Sequence, residues 1–102
     1  MPYFAFRGYD AVGSDAIRQR ERPAHRAYLT TEKFGVRAVA GGMLVSDDGE
    51  RTIGSLVILQ APDRASLMRF LEDEPFTASG LFERVEIERW DWGLGVPVSS
   101  CS

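Results

Sequence analysis

Residues 36–60 (VRAVAGGMLVSDDGERTIGSLVILQ) determine the fold, because they encode a β-hairpin in the middle of the chain. Val36 to Ser46 predicts one strand, and Thr52 to Gln60 predicts the returning strand. The turn between them, Asp47-Asp48-Gly49-Glu50, contains a glycine that can adopt the positive φ of tight hairpin turns. Two glycines inside the first strand, Gly41 and Gly42, predict a bulge or a point where another group approaches the backbone closely.

Helical patterns lie on both sides of this hairpin. Asp15 to Glu21 predicts a short polar helix that stops before Pro23, because proline clashes with the preceding helical turn. Pro23 suits the first position of a second helix, which we expect to run to about Lys33. Beyond the hairpin, Asp63 is the predicted N-cap of a further helix. A loop is predicted from Pro75 to Gly80.

Two outer strands complete the pattern. Tyr3 to Tyr9 and Phe82 to Trp90 alternate in the manner of strands, so the element order is β-α-β-β-α-β. This order predicts an α+β, ferredoxin-like fold with a four-stranded antiparallel sheet and both helices on one face. The apolar run Leu56-Val57-Ile58-Leu59 predicts a strand that is buried on both faces. Since one sheet face is left bare and carries Trp90, we expect a homodimer in which a second copy covers it.

Length and composition set the broad class of protein. The 102 residues suit one domain, predicted at residues 1–92, followed by a flexible tail at residues 93–102. The net charge is −3 and basic residues are not concentrated, which argues against nucleic acid as a partner. No apolar run is long enough to cross a membrane. A single cysteine, Cys101, cannot form an intramolecular disulfide, so a cytoplasmic location is the expectation.

Three consecutive carboxylates, Glu72-Asp73-Glu74, stand at the predicted end of a helix, just before Pro75. Anions at an exposed helix C-terminus are typically disfavoured by about 0.3–1 kcal/mol each. A sequence that breaks a local rule in this way often does so at a functional site. The alternative is a solvated acidic helix end that Arg69 partly compensates.

The chain resembles the YCII-related (YciI-like) family of the dimeric α+β barrel superfamily. The resemblance rests on short motifs in order: Arg22-Pro23-Ala24-His25, Gly41-Gly42, Gly54-Ser55, Glu74-Pro75-Phe76 and Gly80-Leu81-Phe82. It implies a homodimer with face-to-face sheets, a pocket near the histidine-bearing helix, and enzymatic activity through a His–Asp pair. Relatives include dehydrochlorinase-type lyases and isomerases that act on oxygenated ring compounds. Here Glu74 replaces the family's aspartate, with Asp73 one position earlier, and Gly41-Gly42 replaces the commoner Gly-Pro.

The candidate catalytic residues are therefore His25 as general acid/base, supported by Glu74 or Asp73. Imidazole titrates near neutral pH, and a carboxylate on its second nitrogen fixes the tautomer. The alternative for His25 is a structural histidine near a helix start.

Three further residues are candidates for binding substrate: Arg22, Ser55 and Phe76. Arg22 lies three residues before His25 and could bind an anion, or be a solvated charge. Ser55 could bind a ligand, or Gly54-Ser55 could permit close packing, and Phe76 is a pocket-wall or core residue. No ligand spacing predicts a metal, and no cofactor is expected.

Several function classes remain open from the sequence. The leading hypothesis is a lyase or isomerase-type enzyme that acts on an unknown small molecule. A non-catalytic ligand-binding or accessory module of the same fold is the alternative, since fold does not dictate function. A cofactor-free or haem-dependent oxygenase is a third hypothesis, because related dimeric barrels support one.

Overall fold

The computed structural model describes residues 1–95, so residues 96–102 of the predicted tail, including Cys101, lie outside the described residues. The chain forms four strands and three helices. Their bounds are β1 Tyr3–Asp10, α1 Asp15–Leu29, β2 Arg37–Val45, β3 Thr52–Gln60, α2 Arg64–Glu72, α3 Pro75–Ala78 and β4 Phe82–Trp90.

The four strands form one antiparallel sheet in the order β2-β3-β1-β4. This order and connectivity confirm the predicted ferredoxin-like α+β fold. Alternate residues of β1 and β3 meet α2 and parts of α1 on one sheet face. The core includes Phe4, Phe6, Val57, Leu59, Leu67 and Phe70. The hairpin turn also forms as predicted, with Gly49 at a φ of 76°.

Helix α1 is continuous, so the prediction of two helical pieces divided at Pro23 is wrong. It also ends at Leu29, before the predicted end at Lys33. An interior proline costs about 3 kcal/mol in an isolated helix. Contacts on both sides of Pro23 offset this cost: Arg18 forms an ion pair before it, and Tyr28 donates a hydrogen bond to a core carbonyl after it. Tertiary contacts therefore override the local helix-breaking effect.

The irregularities of β2 do not fall at its two glycines. Gly41 and Gly42 pair regularly with β3, and the register shifts lie instead between Ala38 and Ala40 and between Leu44 and Val45. The bulge predicted at Gly41-Gly42 is therefore wrong. Both glycines line the pocket of about 500 Å³ described below, which agrees with the alternative of close approach to the backbone.

One sheet face has no helix over it. The apolar run of β3 is thus buried on one face only within a single chain, because Leu56 is 36% exposed. At one end of this face the ring of Tyr3 packs edge-on against Trp90. Elsewhere the same face carries charge, since Arg7 contacts Glu86 and Glu88. The open face is therefore mixed in character, with aromatic and charged side chains beside one another.

Among residues 1–95, none of the helices combines the length and apolar character needed to span a membrane.

Candidate functional site

Glu74 begins helix α3, where the sequence predicted a loop. As the N-cap, its carboxylate accepts hydrogen bonds from the backbone N–H groups of Phe76 (2.9 Å) and Thr77 (3.4 Å). Pro75 follows at the first helical position, where its fixed φ fits. A carboxylate is favoured at a helix N-terminus, so the unfavourable helix-end position predicted for this residue belongs to Glu72 instead.

The same carboxylate binds His25, which lies 49 residues earlier in the chain. The distance from His25 Nδ1 to Glu74 Oε2 is 2.7 Å, and the Glu74 side chain is only 3% exposed. Because Oε2 also accepts the Phe76 N–H, it acts as an acceptor in both contacts, and Nδ1–H is the donor. The hydrogen of the neutral imidazole therefore sits on Nδ1, which leaves Nε2 with a free lone pair.

Phe76 fixes the plane of the imidazole. Its ring stacks on that of His25 with centroids 3.8 Å apart and an angle of 12° between the planes. Phe76 is fully buried, and its ring packs edge-on against the ring of Phe82. A single turn of chain, Glu74 to Phe76, thus supplies both the hydrogen bond and the stacking surface that orient His25.

Arg18 is a central residue that the sequence analysis missed. Its Nε and Nη2 donate to the two carboxylate oxygens of Asp10 at 2.7 and 2.8 Å, and Nη2 also donates to Ser55 Oγ at 3.0 Å. Its guanidinium carbon lies 4.7 Å from the centre of the Phe76 ring. Arg18 is 8% exposed and Ser55 3%, so this network is buried next to the His25–Glu74 pair.

A pocket of about 500 Å³ opens between α1 and strands β2 and β3. Helix α1 contributes the polar side of its wall: Arg18, Arg22, His25 and Arg26. The strands contribute a mostly apolar floor that includes Ala38, Gly41, Met43, Ser55 and Val57. No aspartate or glutamate is among the lining residues, all of which fall within the described part of the chain.

The structure brings together most of the candidate residues. Arg22, His25, Ser55 and Phe76 all line the pocket, and Glu74 supports His25 from behind. Asp73 does not belong to this group, because it is an exposed C-cap residue of α2. Of the two carboxylates left open by the sequence, Glu74 is the partner of His25.

The negative charge of Asp73 influences the ionisation of Tyr28. The hydroxyl of Tyr28 donates a hydrogen bond to the Phe70 carbonyl at 2.7 Å. Burial raises the pKa of Tyr28, and the negative charges of Asp73 and Glu74 raise it further.

Arg18 was missed because the sequence was divided at Pro23, whereas Arg26 lies in the same predicted helix as His25 and was not singled out. On one continuous helix, residues 18, 22, 25 and 26 follow an i, i+4, i+7, i+8 pattern and share a face. This spacing would have identified both arginines once Pro23 was accepted inside the helix. Asp10 belongs to no such spacing pattern, because it reaches the site from the end of strand β1 and not from helix α1.

Residues 1–95 provide no evident set of side chains that could bind a metal ion. No group of three His, Cys, Asp or Glu side chains lies close enough together to hold an ion in this part of the chain. The groups that can move protons or bind a ligand are the free Nε2 of His25, the guanidinium groups of α1 and the hydroxyl of Ser55.

Comparisons with known proteins agree with the fold. Among solved structures, the chain is similar to 5-chloro-2-hydroxyhydroquinone dehydrochlorinase (TftG) from Burkholderia phenoliruptrix AC1100, which was solved in complex with 2,5-dihydroxybenzoquinone. The two proteins are 30% identical with a TM-score of 0.74, and the match covers 89% of this chain and 95% of the dehydrochlorinase. A search of curated proteins gave no match.

Two more distant structures share the fold alone. The protein PA3566 from Pseudomonas aeruginosa is 20% identical with a TM-score of 0.53, covering 87% of this chain and 91% of that one. An antibiotic biosynthesis monooxygenase is 16% identical with a TM-score of 0.55, covering 90% and 98% respectively. A family model described as "YCII-related domain" matches residues 1–91, nearly all of the described chain. With this match and the ferredoxin-like fold, the chain belongs to the YCII-related family.

Proposed function

We propose that this protein is a small-molecule enzyme of the lyase or isomerase type, with His25 as its general acid/base. The observation that carries the proposal is the buried pair between His25 Nδ1 and Glu74, placed in the wall of a pocket. A histidine held this way keeps Nε2 as the proton acceptor, and the carboxylate stabilises the imidazolium that forms. A structural histidine would not need to line a cavity of this size.

The proposed substrate is an oxygenated ring compound, by analogy with the compounds named for the dehydrochlorinase. In the lyase reaction, one ring hydroxyl first becomes a carbonyl as its proton moves to the carbon that bears the leaving group, and Nε2 then removes the proton of a second ring hydroxyl. The electron pair left behind forms a new π bond, and a leaving anion departs with its own pair. In an isomerase reaction, the imidazolium returns the proton to a different atom of the same ligand. Ser55 and Phe76 hold the ligand and the imidazole in place in both cases.

Chloride release from 5-chloro-2-hydroxyhydroquinone is the direct test. General acid/base groups contribute about 10²–10⁴-fold to rate, so we expect His25→Gln to lower kcat by that factor. Glu74→Gln should lower kcat with a smaller change in KM, whereas Asp73→Asn should leave both unchanged. Tight binding of the compound with no turnover would favour the non-catalytic ligand-binding alternative. Turnover that survives His25→Gln would refute the proposed role of that residue.

We also propose that the protein works as a homodimer, with the second copy on the open sheet face. Leu56 and Ile58 lie in the centre of that face, and the neighbouring charges of Arg7 and Glu88 can pair across a twofold axis. Light scattering at micromolar concentration should give twice the chain mass. No metal requirement is proposed, and full turnover after chelator treatment is the expected result.

A further inference from the structure

The face of α1 that lines the pocket carries more positive charge than the fold can explain. Arg18, Arg22 and Arg26 lie four residues apart, a spacing at which like charges repel along a helix. Arg18 is neutralised by Asp10. Within residues 1–95, neither Arg22 nor Arg26 forms a salt bridge, and neither has an acidic residue three or four positions away.

The opposite side of the pocket does not balance this charge. Its floor is apolar or uncharged, and the two carboxylates that contact pocket-lining side chains are already engaged, Asp10 by Arg18 and Glu74 by His25 and the start of α3. The protein as a whole is acidic, with a net charge of −3, so a locally positive pocket is not a consequence of composition. A cleft lined by charges of one sign attracts a ligand of the opposite sign.

We infer that the pocket selects a ring compound in its anionic form, and that Arg22 and Arg26 are the residues that recognise the negative oxygen. The ring would lie on the apolar floor around Ala38 and Val57, while the oxygen faces the two guanidinium groups. Guanidinium suits this task because it offers several N–H donors in one plane to an oxyanion. This inference rests on the proposed function for the identity of the ring, and it adds Arg26 as a specificity-determining residue.

A pair of ligands that differ in charge tests the inference. 2,5-Dihydroxybenzoquinone is an acidic compound that is ionised at neutral pH, whereas its dimethyl ether has the same ring and no charge. We expect calorimetry to show tighter binding of the anion. One charged hydrogen bond is worth enough that Arg22→Gln and Arg26→Gln should each raise the Kd of the anion about tenfold. Neither variant should change the Kd of the ether.

Arg20 provides a matched control on the same helix. It is exposed, pairs with Glu21 and does not line the pocket, so Arg20→Gln removes one positive charge without altering the site. An equal loss of affinity in Arg20→Gln and Arg26→Gln would overturn the inference, because net charge alone would explain the effect. Equal affinity for the anion and the ether, or binding of neither at millimolar concentration, would overturn it as well.

His25→Gln separates this inference from the proposed function. That variant should lose turnover and still prefer the anion. If the wild-type protein shows no turnover but the arginine variants lose the anion selectively, the proposed function fails and the inference stands. If turnover depends on His25 while charge has no influence on binding, the inference fails and the proposed function stands.

Discussion

Replacing Glu74 by alanine should destabilise the fold far more than an ordinary surface substitution. The carboxylate accepts hydrogen bonds from His25 Nδ1 at 2.7 Å, from the Phe76 N–H at 2.9 Å, and from the N–H and hydroxyl of Thr77 at 3.4 Å each. Alanine removes all four acceptor contacts at once. Two of the donors, on His25 and Phe76, are then left without this partner in a largely buried place.

The size of the effect follows from these contacts. Loss of an N-cap costs about 1 kcal/mol. That figure includes the cap donors of Phe76 and Thr77, and the His25 donor left without a partner costs about 1–3 kcal/mol more. The sum is about 3 kcal/mol, which for a domain of this length lowers the melting temperature by roughly 12–24 °C. Glu74→Gln keeps an oxygen acceptor and loses the charge, so its cost should be about 1 kcal/mol.

The free energy of unfolding can be measured in urea at fixed protein concentration, because a dimer would make stability depend on concentration. Asp73→Ala is the matched control: it removes a carboxylate one position away that is exposed, and should change stability by less than about 0.5 kcal/mol. A double-mutant cycle with His25→Gln and Glu74→Gln should give a coupling energy of about 0.5–3 kcal/mol. Equal losses for the Glu74 and Asp73 alanine variants, together with zero coupling, would refute the reasoning.

Three other predictions concern the fold and the proposed dimer. Gly54→Ala places a Cβ 2.2 Å from a carbonyl oxygen of β1 and should cost about 2 kcal/mol or more in thermal melting, whereas Gly42→Ala meets open space and should be nearly neutral. Burial and two nearby carboxylates raise the pKa of Tyr28. An unfolded tyrosine ionises near pH ~10, so stability should fall as the pH rises above that value, and Tyr28→Phe should reduce this fall in alkaline unfolding experiments. Leu56→Arg should reduce the mass found by light scattering to that of a monomer, while Val12→Arg, on an exposed loop, should not.

The strands and their order along the chain could be predicted because each strand is specified by residues that are close together in the sequence. Alternation over Phe82–Trp90 and the glycine-containing turn between β2 and β3 specify strand and hairpin without reference to the rest of the chain. The N-cap at Asp63 was equally predictable, since it needs only the next three residues and accepts the Ser66 N–H at 2.7 Å. The family resemblance then placed His25 next to a carboxylate before any geometry was known.

The errors have one cause, which is that tertiary contacts outweigh local preferences. Pro23 was assigned to a helix start on local grounds, but contacts made by Arg18 and Tyr28 carry α1 through it. Dividing the helix also hid Arg18, because its position relative to His25 has meaning only on a continuous helix. The bulges of β2 were misplaced for a related reason, since register depends on the partner strand and glycine content does not determine it.

The sequence suggested that the Glu74 carboxylate lies at an unfavourable helix C-terminus, whereas in the structure it occupies a favourable N-cap position. Local reasoning set it at the end of α2, but that helix ends at Glu72 with Asp73 as its C-cap, and Glu74 is the N-cap of the next. The cap bonds to Phe76 and Thr77 hold the carboxylate whether or not His25 is present. The acceptor that meets His25 is therefore fixed in advance by the start of α3, and Phe76, two residues later, fixes the ring plane. Orientation of the imidazole thus depends on one short helix, whose N-cap glutamate meets His25 Nδ1 at 2.7 Å.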